Sequence, residues 1–158
     1  MRKYFLLHII VLTIAMLATL HAVASNTQTD KADYKEYSCT IDGVERIYKL
    51  YLPANIKPNA PLIFVLHGYG GSYNLDDKGF NETADRHGFA VCYPQGSKDG
   101  RNKNCWNVGY PFQADMEVDD ISFLCKLAKM LQKQHNLSRK NTFCKSGSDI
   151  KNRETYFA

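Results

Sequence analysis

A glycine-rich pentapeptide, His67-Gly68-Tyr69-Gly70-Gly71, follows a short apolar segment at residues 62–66. Apolar runs of this length are typical of strands buried on both faces of a parallel sheet, and such sheets bind their ligands at the carboxyl ends of the strands. Glycines there allow a sharp turn and expose backbone N–H groups, which can stabilise the oxyanion of an acyl-transfer reaction. The pentapeptide also fits a tight turn between a strand and a helix. A phosphate-binding loop is disfavoured, because neither the Walker spacing nor G-x-G-x-x-G is present.

A second candidate region is the long segment at residues 95–114, which is rich in Gly, Asn and aromatic residues. Loops of this length in small domains are usually functional. Its side chains Trp106, Tyr110 and Phe112 either line an acyl or aromatic pocket or anchor the loop to the domain. The sequence leaves both interpretations open.

Other titratable residues have simpler explanations. His87 precedes Gly88 and is interpreted as a helix-end residue, where a cation is favoured. Asp119 and Asp120 are interpreted as helix caps and dipole partners, because no further ligand at metal-binding spacing accompanies them. Cys144 has no identified base and is interpreted as a buried or disulfide-bonded residue. The sequence therefore indicates neither a metal ion nor an organic cofactor.

The strands that must position these residues are marked by their sequence patterns. Residues 37–41 and 44–52 flank the turn pair Asp42-Gly43 and predict a hairpin. Short apolar runs at residues 62–66, 89–93 and 141–144 predict three strands that are parallel neighbours in one sheet.

Two helices are predicted between these strands. The first covers residues 78–87 and is stopped by Gly88 in a left-handed conformation. The second covers residues 117–135. Its apolar residues recur at helical spacing and predict one buried face, formed by Val118, Ile121, Leu124, Cys125, Ala128 and Leu131.

Composition limits the classes of protein to which the chain can belong. The chain has 158 residues, of which 44% are hydrophobic and 23% charged, as expected for one globular domain. The formal net charge is +4, and two of these charges are Arg2 and Lys3 in the first segment. Acidic and basic residues are mixed along the remainder, so a nucleic acid partner is not indicated.

The N-terminal segment, residues 1–24, has the pattern of a secretory signal. Arg2 and Lys3 precede an apolar stretch at residues 5–20, and Ala22-Val23-Ala24 fits a cleavage site. We therefore expect a secreted protein, extracellular or periplasmic, that begins at Ser25 and has no stable membrane association after cleavage. A membrane anchor is disfavoured, because histidines interrupt the stretch and no basic stop-transfer cluster follows it.

The expected mature chain opens with a polar, flexible segment at residues 25–36. All five cysteines lie in the exported part, where disulfides can form: Cys39, Cys92, Cys105, Cys125 and Cys144. Because five is odd, either one thiol is free or its partner lies outside this sequence.

Taken in order, short motifs along residues 44–144 resemble the N-terminal half of the secreted esterases related to polyhydroxybutyrate depolymerase, a group with feruloyl and acetylxylan esterases. The motifs are Tyr48-Lys49-Leu50-Tyr51-Leu52-Pro53, residues 61–71, Gly79-Phe80-Asn81, Ala84-Asp85, His87-Gly88-Phe89, Tyr93-Pro94-Gln95-Gly96, Cys105-Trp106-Asn107, Val118-Asp119-Asp120 and Asn141-Thr142-Phe143. Each motif is short, and the specificity lies in their order and spacing.

The resemblance implies an α/β-hydrolase fold, in which an antiparallel hairpin is followed by parallel strands with crossover helices. It also implies a Ser-His-Asp triad and an ester substrate, such as an esterified plant polysaccharide or a polyester. His67, Gly68, Tyr69, Gly70 and Gly71 would then form the oxyanion loop, and His67 would not be the catalytic base.

The sequence departs from that family after residue 144. By register Ser148 occupies the position of the nucleophile, but Ser146 and Ile150 replace the flanking glycines of the G-x-S-x-G elbow. No Asp and His follow to complete a triad. We therefore expect a truncated hydrolase domain at residues 37–144 and an aberrant tail at residues 145–158, without appreciable activity. The alternative is a non-catalytic exported module that binds polysaccharide or polyester through its aromatic loop.

Overall fold

The computed structural model describes residues 35–74, 78–146 and 155–156. The predicted signal segment, nearly all of the predicted flexible segment at residues 25–36, and Ser148 lie outside the described residues. Within the described ranges, no helix has the length and apolar character needed to cross a membrane.

The predicted hairpin is confirmed. Strand β1 (Lys35–Ile41) pairs antiparallel with strand β2 (Val44–Tyr51), and β1 begins two residues before the predicted first strand. At the turn, Asp42 has φ 54° and Gly43 has φ 78°. Positive φ at both central residues is what a two-residue hairpin turn of type I′ requires, and Asp-Gly is a favoured pair for it.

Three parallel strands form the centre of the sheet, as predicted. Strand β3 (Leu62–Leu66) lies between β4 (Ala90–Pro94) and β7 (Thr142–Ser146) and is parallel to both. The six-stranded sheet has the order β1-β2-β4-β3-β7-β8, in which β8 (Thr155–Tyr156) is antiparallel to β7. Strand β7 continues two residues past the predicted end at Cys144, and β8 lies in the tail, where no strand pattern is present.

One face of the sheet is covered by helix α1 (Lys78–His87), which has the predicted bounds. Gly88 has φ 70°, and its N–H donates to the carbonyl oxygen of Ala84 at 2.7 Å. This is the left-handed helix end predicted from the sequence, and His87 is the last helical residue. The core on this side is a cluster of Tyr51, Val65, Ala84, Phe89, Val91 and Tyr93.

Helix α2 (Asp120–Gln134) covers the other face and begins three residues later than predicted. Asp119 caps it, because its Oδ1 accepts the backbone N–H of Ser122 at 2.8 Å. The predicted buried face was wrong in part, since Ile121 is 52% exposed and Cys125 is also exposed. The buried residues are instead Asp120, Phe123, Leu124, Leu127 and Leu131. The helix is thus rotated by roughly one residue, about 100°, so that Asp120 points inward.

The loop at residues 95–114 carries short pieces of regular structure. Strands β5 (Ser97–Lys98) and β6 (Asn104–Cys105) pair antiparallel, and Pro111–Gln113 forms a single 3-10 turn. The backbone N–H of Gly70 donates to the carbonyl oxygen of Asn104 at 2.8 Å. The long loop is therefore bound directly to the glycine-rich segment after β3.

Candidate active site

The glycine-rich loop, residues 67–71, begins where β3 ends and has a tight backbone. Gly70 has φ 75°, a conformation that favours glycine. A Cβ atom on Gly71 would lie 3.0 Å from the carbonyl oxygen of Gly68 and 3.2 Å from the Cβ of His67. Local geometry thus favours glycine at two of the three glycine positions of the loop, Gly70 and Gly71.

Hydrogen bonds fix this loop but leave backbone N–H groups, those of Gly68 and Tyr69 among them, without an acceptor among the described residues. Gly71 N–H donates to Gly68 O at 2.9 Å, and Asn104 Nδ2 donates to Gly71 O at 2.8 Å. The backbone N–H of Tyr69 finds no acceptor among the described residues, and Tyr69 is exposed. A backbone N–H without an acceptor at the carboxyl end of a parallel strand is able to hydrogen-bond an anionic oxygen.

The buried side chain of His67 holds the glycine-rich loop in place through hydrogen bonds. It is only 1% exposed, and its Nδ1 donates to the carbonyl oxygen of Gly68 at 2.8 Å. Its Nε2 accepts from the backbone N–H of Gly96 and from Gln95 Nε2, both at 3.0 Å. Burial lowers the pKa of His67, and both ring nitrogens are occupied. His67 is therefore neutral and has no free nitrogen with which to act as a base.

Trp106 supports the same histidine. Its indole Nε1 donates to the carbonyl oxygen of His67 at 2.9 Å, and its ring centroid lies 5.0 Å from the imidazole centroid. Two roles were considered for Trp106. These contacts correspond to the second, in which Trp106 attaches the long loop to the rest of the domain.

Tyr110 and Phe112 are placed differently from Trp106. They are 58% and 42% exposed, and their rings stack with centroids 5.5 Å apart. The ring of Phe112 also meets the ring of Tyr69 edge to face at 5.9 Å. The structure thus joins the glycine-rich loop and the long loop through Tyr69, a contact that no local sequence pattern indicates.

A buried ion pair, which the sequence did not predict, lies beneath the long loop. Arg46 of β2 and Asp120 of α2 are 2.6 Å apart and both are buried. Asp120 Oδ2 accepts the backbone N–H of Asn107 at 2.6 Å, and the Arg46 guanidinium lies 3.8 Å from the ring centroid of Phe123. Asp120 was interpreted as a cap, but only Asp119 has that role. The buried position of Asp120 is tolerated because Arg46 and the Asn107 N–H offset the cost of removing its charge from water.

Cys144 lies away from the loop, in a groove on the α2 side of the sheet. Leu124, Ala128 and Lys129 also line this groove. Burial raises the pKa of the Cys144 thiol to about 12, which disfavours the thiolate form that a nucleophilic cysteine needs. All five cysteines are free thiols in the structure. Within the described ranges, no three His, Cys, Asp or Glu residues are grouped as metal ligands would be.

The backbone places the start of the tail beside the loop. Leu66, the last residue of β3, is the register partner of Ser146, the last residue of β7. Ser148 itself lies outside the described residues. Two parallel strands thus end side by side, one leading into the glycine-rich loop and the other leading towards Ser148.

The model of the Esterase PHB depolymerase family, named for polyhydroxybutyrate, matches residues 46–149, more than half of the chain. The chain belongs to this esterase family. A curated relative is the bifunctional acetylxylan esterase/xylanase of Neocallimastix patriciarum, which is 27% identical over 128 residues. That match covers 80% of this chain and 17% of the relative.

Solved esterases share the fold of this Esterase PHB depolymerase chain. The acetyl xylan esterase from Aspergillus awamori has a TM-score of 0.56 at 15% identity, over 71% of this chain and 42% of that one. The S-formylglutathione hydrolase from Staphylococcus aureus has a TM-score of 0.54 at 16% identity, over 74% and 48%. The predicted α/β-hydrolase fold is confirmed, and the chain spans less than half the length of each of these proteins.

Proposed function

We propose that this member of the Esterase PHB depolymerase family supplies the oxyanion loop of a secreted carboxylic-ester hydrolase that works by serine acyl transfer. The observation that carries the proposal is the backbone N–H of Tyr69, which is fixed by its neighbours yet lacks an acceptor among the described residues. Oxyanion stabilisation by such donors is usually the largest electrostatic contribution to acyl transfer.

In the proposed reaction, a serine hydroxyl adds to the ester carbonyl carbon while a histidine takes the hydroxyl proton. The carbonyl oxygen becomes an anion and accepts a hydrogen bond from Tyr69 N–H. The C–O bond to the alcohol then breaks, and the alcohol leaves with the proton from the histidine, which an aspartate orients. Water hydrolyses the acyl-serine by the same steps. This chemistry uses no metal ion and no organic cofactor.

Ser148 holds the serine position by register, but we propose that the 158-residue chain itself has no appreciable esterase activity. Ser146 and Ile150 replace the elbow glycines, and a β-branched residue suits that crowded turn badly. His67 is not available as the base, since its two ring nitrogens bind Gly68 and Gly96.

For the substrate we propose an esterified plant polysaccharide before a polyester, because the curated relative is named as an acetylxylan esterase. Export follows from the signal pattern of residues 1–24. Mass spectrometry of the exported product tests this cleavage. A chain that begins at Ser25 supports it, and a chain that retains residues 1–24 contradicts it.

The alternative function is a non-catalytic exported module that binds polysaccharide or polyester. The observation in its favour is the exposure of Tyr110 and Phe112. It predicts a stable, ligand-binding 158-residue protein and no effect of loop substitutions on any hydrolytic rate.

A chimaera tests the role of the loop. Residues 46–146 replace the matching segment of the Neocallimastix patriciarum enzyme, and deacetylation of acetylxylan is measured for the parent chimaera and for Tyr69→Pro, which removes the N–H. We expect kcat to fall about 10²–10³-fold with little change in KM. Tyr69→Phe, which keeps the N–H, is the control. An active Tyr69→Pro chimaera with unchanged kcat would refute the role of this donor.

A further inference from the structure

Helix α2 carries more apolar surface than the described part of the domain buries. Four apolar residues recur three and four residues apart along one side of it: Ile121, Leu124, Cys125 and Ala128. Leu124 is only 7% exposed, but Ile121 is 52% exposed and Cys125 is exposed as well. We call Ile121, Cys125 and Ala128 the outer stripe of α2.

The groove that contains Cys144 lies between the outer stripe and the sheet. Its volume is about 450 Å³, which gives room for several side chains of a partner. Its apolar lining comes from the sheet residues Phe64 and Cys144 and from Leu124, Cys125 and Ala128 of α2. An apolar groove beside a helix is a typical docking site for an amphipathic helix.

The topology of the sheet explains why this side of α2 is open. The crossovers β3-α1-β4 and β4-α2-β7 run in opposite directions across the sheet, so right-handed connections place α1 and α2 on opposite faces. A further right-handed crossover from β7, directed away from β3, would place its helix beside α2 and over the groove. In this chain β8 instead pairs antiparallel with β7. Within the described ranges, α2 is therefore the one α-helix on its face of the sheet.

The charged side chains of the groove are all positive. Its polar lining residues are Lys129, Gln132, Arg139, Lys140 and Thr142, and no described lining residue is acidic. Gln132 Nε2 donates to Thr142 Oγ1 at 2.9 Å, so these two side chains pair with each other. The lysines and the arginine, which we call the groove cations, are exposed and form no salt bridge among the described residues. Charge complementarity therefore favours an occupant with acidic groups.

A helix fits this surface better than the other possible occupants. In a symmetric pair of copies, the two outer stripes would face each other and bring the Lys129 side chains together, which like charges disfavour. A small anionic amphiphile in the groove would leave Ile121 uncovered, because Ile121 does not line the groove. From Ile121 to Gln132 the stripe and groove extend for about 16 Å along α2. A second helix packed alongside α2 would cover that whole length.

We infer that the outer stripe and the groove bind an amphipathic helix of another polypeptide, whose apolar face is flanked by Asp or Glu residues. The apolar face packs along the stripe, and the carboxylates pair with the groove cations. The interaction uses no residue of the glycine-rich loop. It is therefore independent of the proposed oxyanion function.

The test uses the exposed thiol of Cys125 as a reporter at the stripe. The purified, reduced chain is treated with iodoacetamide, and the alkylation rate of each cysteine is measured by mass spectrometry. The probes are two synthetic amphipathic helices with the same leucine stripe, one flanked by glutamates and the other by lysines. Cys39 is the internal control, because it lies on β1 at the other edge of the sheet.

Two variants alter the proposed site. Ala128→Glu places a carboxylate on the outer stripe, and Lys129→Glu reverses one groove cation. Lys98→Glu is the matched control for the second variant, because it reverses the charge of an exposed lysine on β5. Thermal unfolding of every variant shows that it is folded.

We expect the glutamate-flanked helix to slow alkylation of Cys125 but not of Cys39, and the lysine-flanked helix to protect much less. Ala128→Glu should raise the peptide concentration for half protection about tenfold or more, since it buries an unpaired charge. Lys129→Glu should raise it about two- to fivefold, as loss of a surface ion pair does, and Lys98→Glu should leave it unchanged. The absence of protection in the wild type would overturn the inference. Equal protection by the two helices, or a folded Ala128→Glu protein with wild-type binding, would do the same.

Two further measurements examine the other occupants. If sedimentation shows a wild-type dimer that Ala128→Glu abolishes, the stripe binds a second copy and the inference is wrong. Protection of Cys125 by dodecanoate but not by the glutamate-flanked helix would likewise refute it, in favour of a small anionic amphiphile.

Discussion

Arg46 and Asp120 form a buried ion pair with a nitrogen–oxygen distance of 2.6 Å, although 74 residues separate them in the chain. The pair joins β2 to the start of α2, and Asp120 also receives the N–H of Asn107 in the long loop. One carboxylate thus links β2, the start of α2 and the long loop.

Replacing Asp120 with asparagine should strongly destabilise the domain, because Arg46 would keep a buried charge without its partner. Breaking a buried pair in this way costs about 3–5 kcal/mol in free energy of unfolding. Urea unfolding followed by circular dichroism measures the change.

The exposed pair of Asp42 and Lys126 supplies the matched control for that substitution. Asp42→Asn should leave the unfolding midpoint almost unchanged, since surface ion pairs add little and Asn also tolerates the positive φ of this turn position. Equal losses for the two variants would show that burial of the Arg46–Asp120 pair does not govern its contribution.

Gly96→Ala should disturb the anchor of the glycine-rich loop. A Cβ atom there would lie 2.3 Å from the carbonyl oxygen of Cys105 and 3.2 Å from the Cε1 of His67. Overpacking of this kind costs about 1–3 kcal/mol. The measurement is again urea unfolding, and Gly100→Ala is the control because a Cβ on Gly100 meets nothing within 4 Å. A Gly96→Ala protein as stable as Gly100→Ala would contradict the close approach of these backbones.

The stability of the domain should fall as the pH drops below about 6.5, the usual pKa of histidine. Burial lowers the pKa of His67 and of His135 in the folded chain. Below about pH 6.5 the unfolded chain therefore binds protons that the folded chain does not bind. The free energy of unfolding then decreases until the pH reaches the lowered pKa values of the folded chain. The slope is at most about 1.4 kcal/mol per pH unit for each proton.

Urea unfolding between pH 8 and pH 5 measures this slope, and each histidine has its own variant. His67→Gln should remove one part of the slope, and His135→Gln should remove another. The free energy of unfolding of the double variant should be nearly independent of pH between pH 8 and pH 5. The carboxylates Asp42 and Asp99 do not interfere, because their pKa values are lowered from 3.8. A His67→Gln protein with the wild-type slope would show that His67 does not resist protonation.

The sequence predicted the parts of the fold that depend on local patterns. Asp42-Gly43 specifies the hairpin turn, Gly88 specifies the end of α1, and the apolar run at residues 62–66 specifies a buried parallel strand. These features need only a few neighbouring residues, so they are readable without the rest of the chain.

The features that the sequence did not predict depend on partners far along the chain. The buried face of α2 includes Asp120, whose partner Arg46 lies in β2, and helical periodicity cannot show such a pairing. Tyr69 meets Phe112 where the long loop is bound to the glycine-rich loop, through Asn104 among other residues. In the same way, the two hydrogen bonds that occupy Nε2 of His67 come from the end of β4.

We propose above all that these 158 residues carry the oxyanion loop of an esterase but no working nucleophile and base. Hydrolysis of p-nitrophenyl acetate and methyl ferulate by the purified chain, beside Ser148→Ala, tests it most directly. We predict the same slow rate for both proteins, because loss of triad function costs on the order of 10⁴-fold or more. A wild-type chain that turns over several times per second, with that activity lost in Ser148→Ala, would contradict the account.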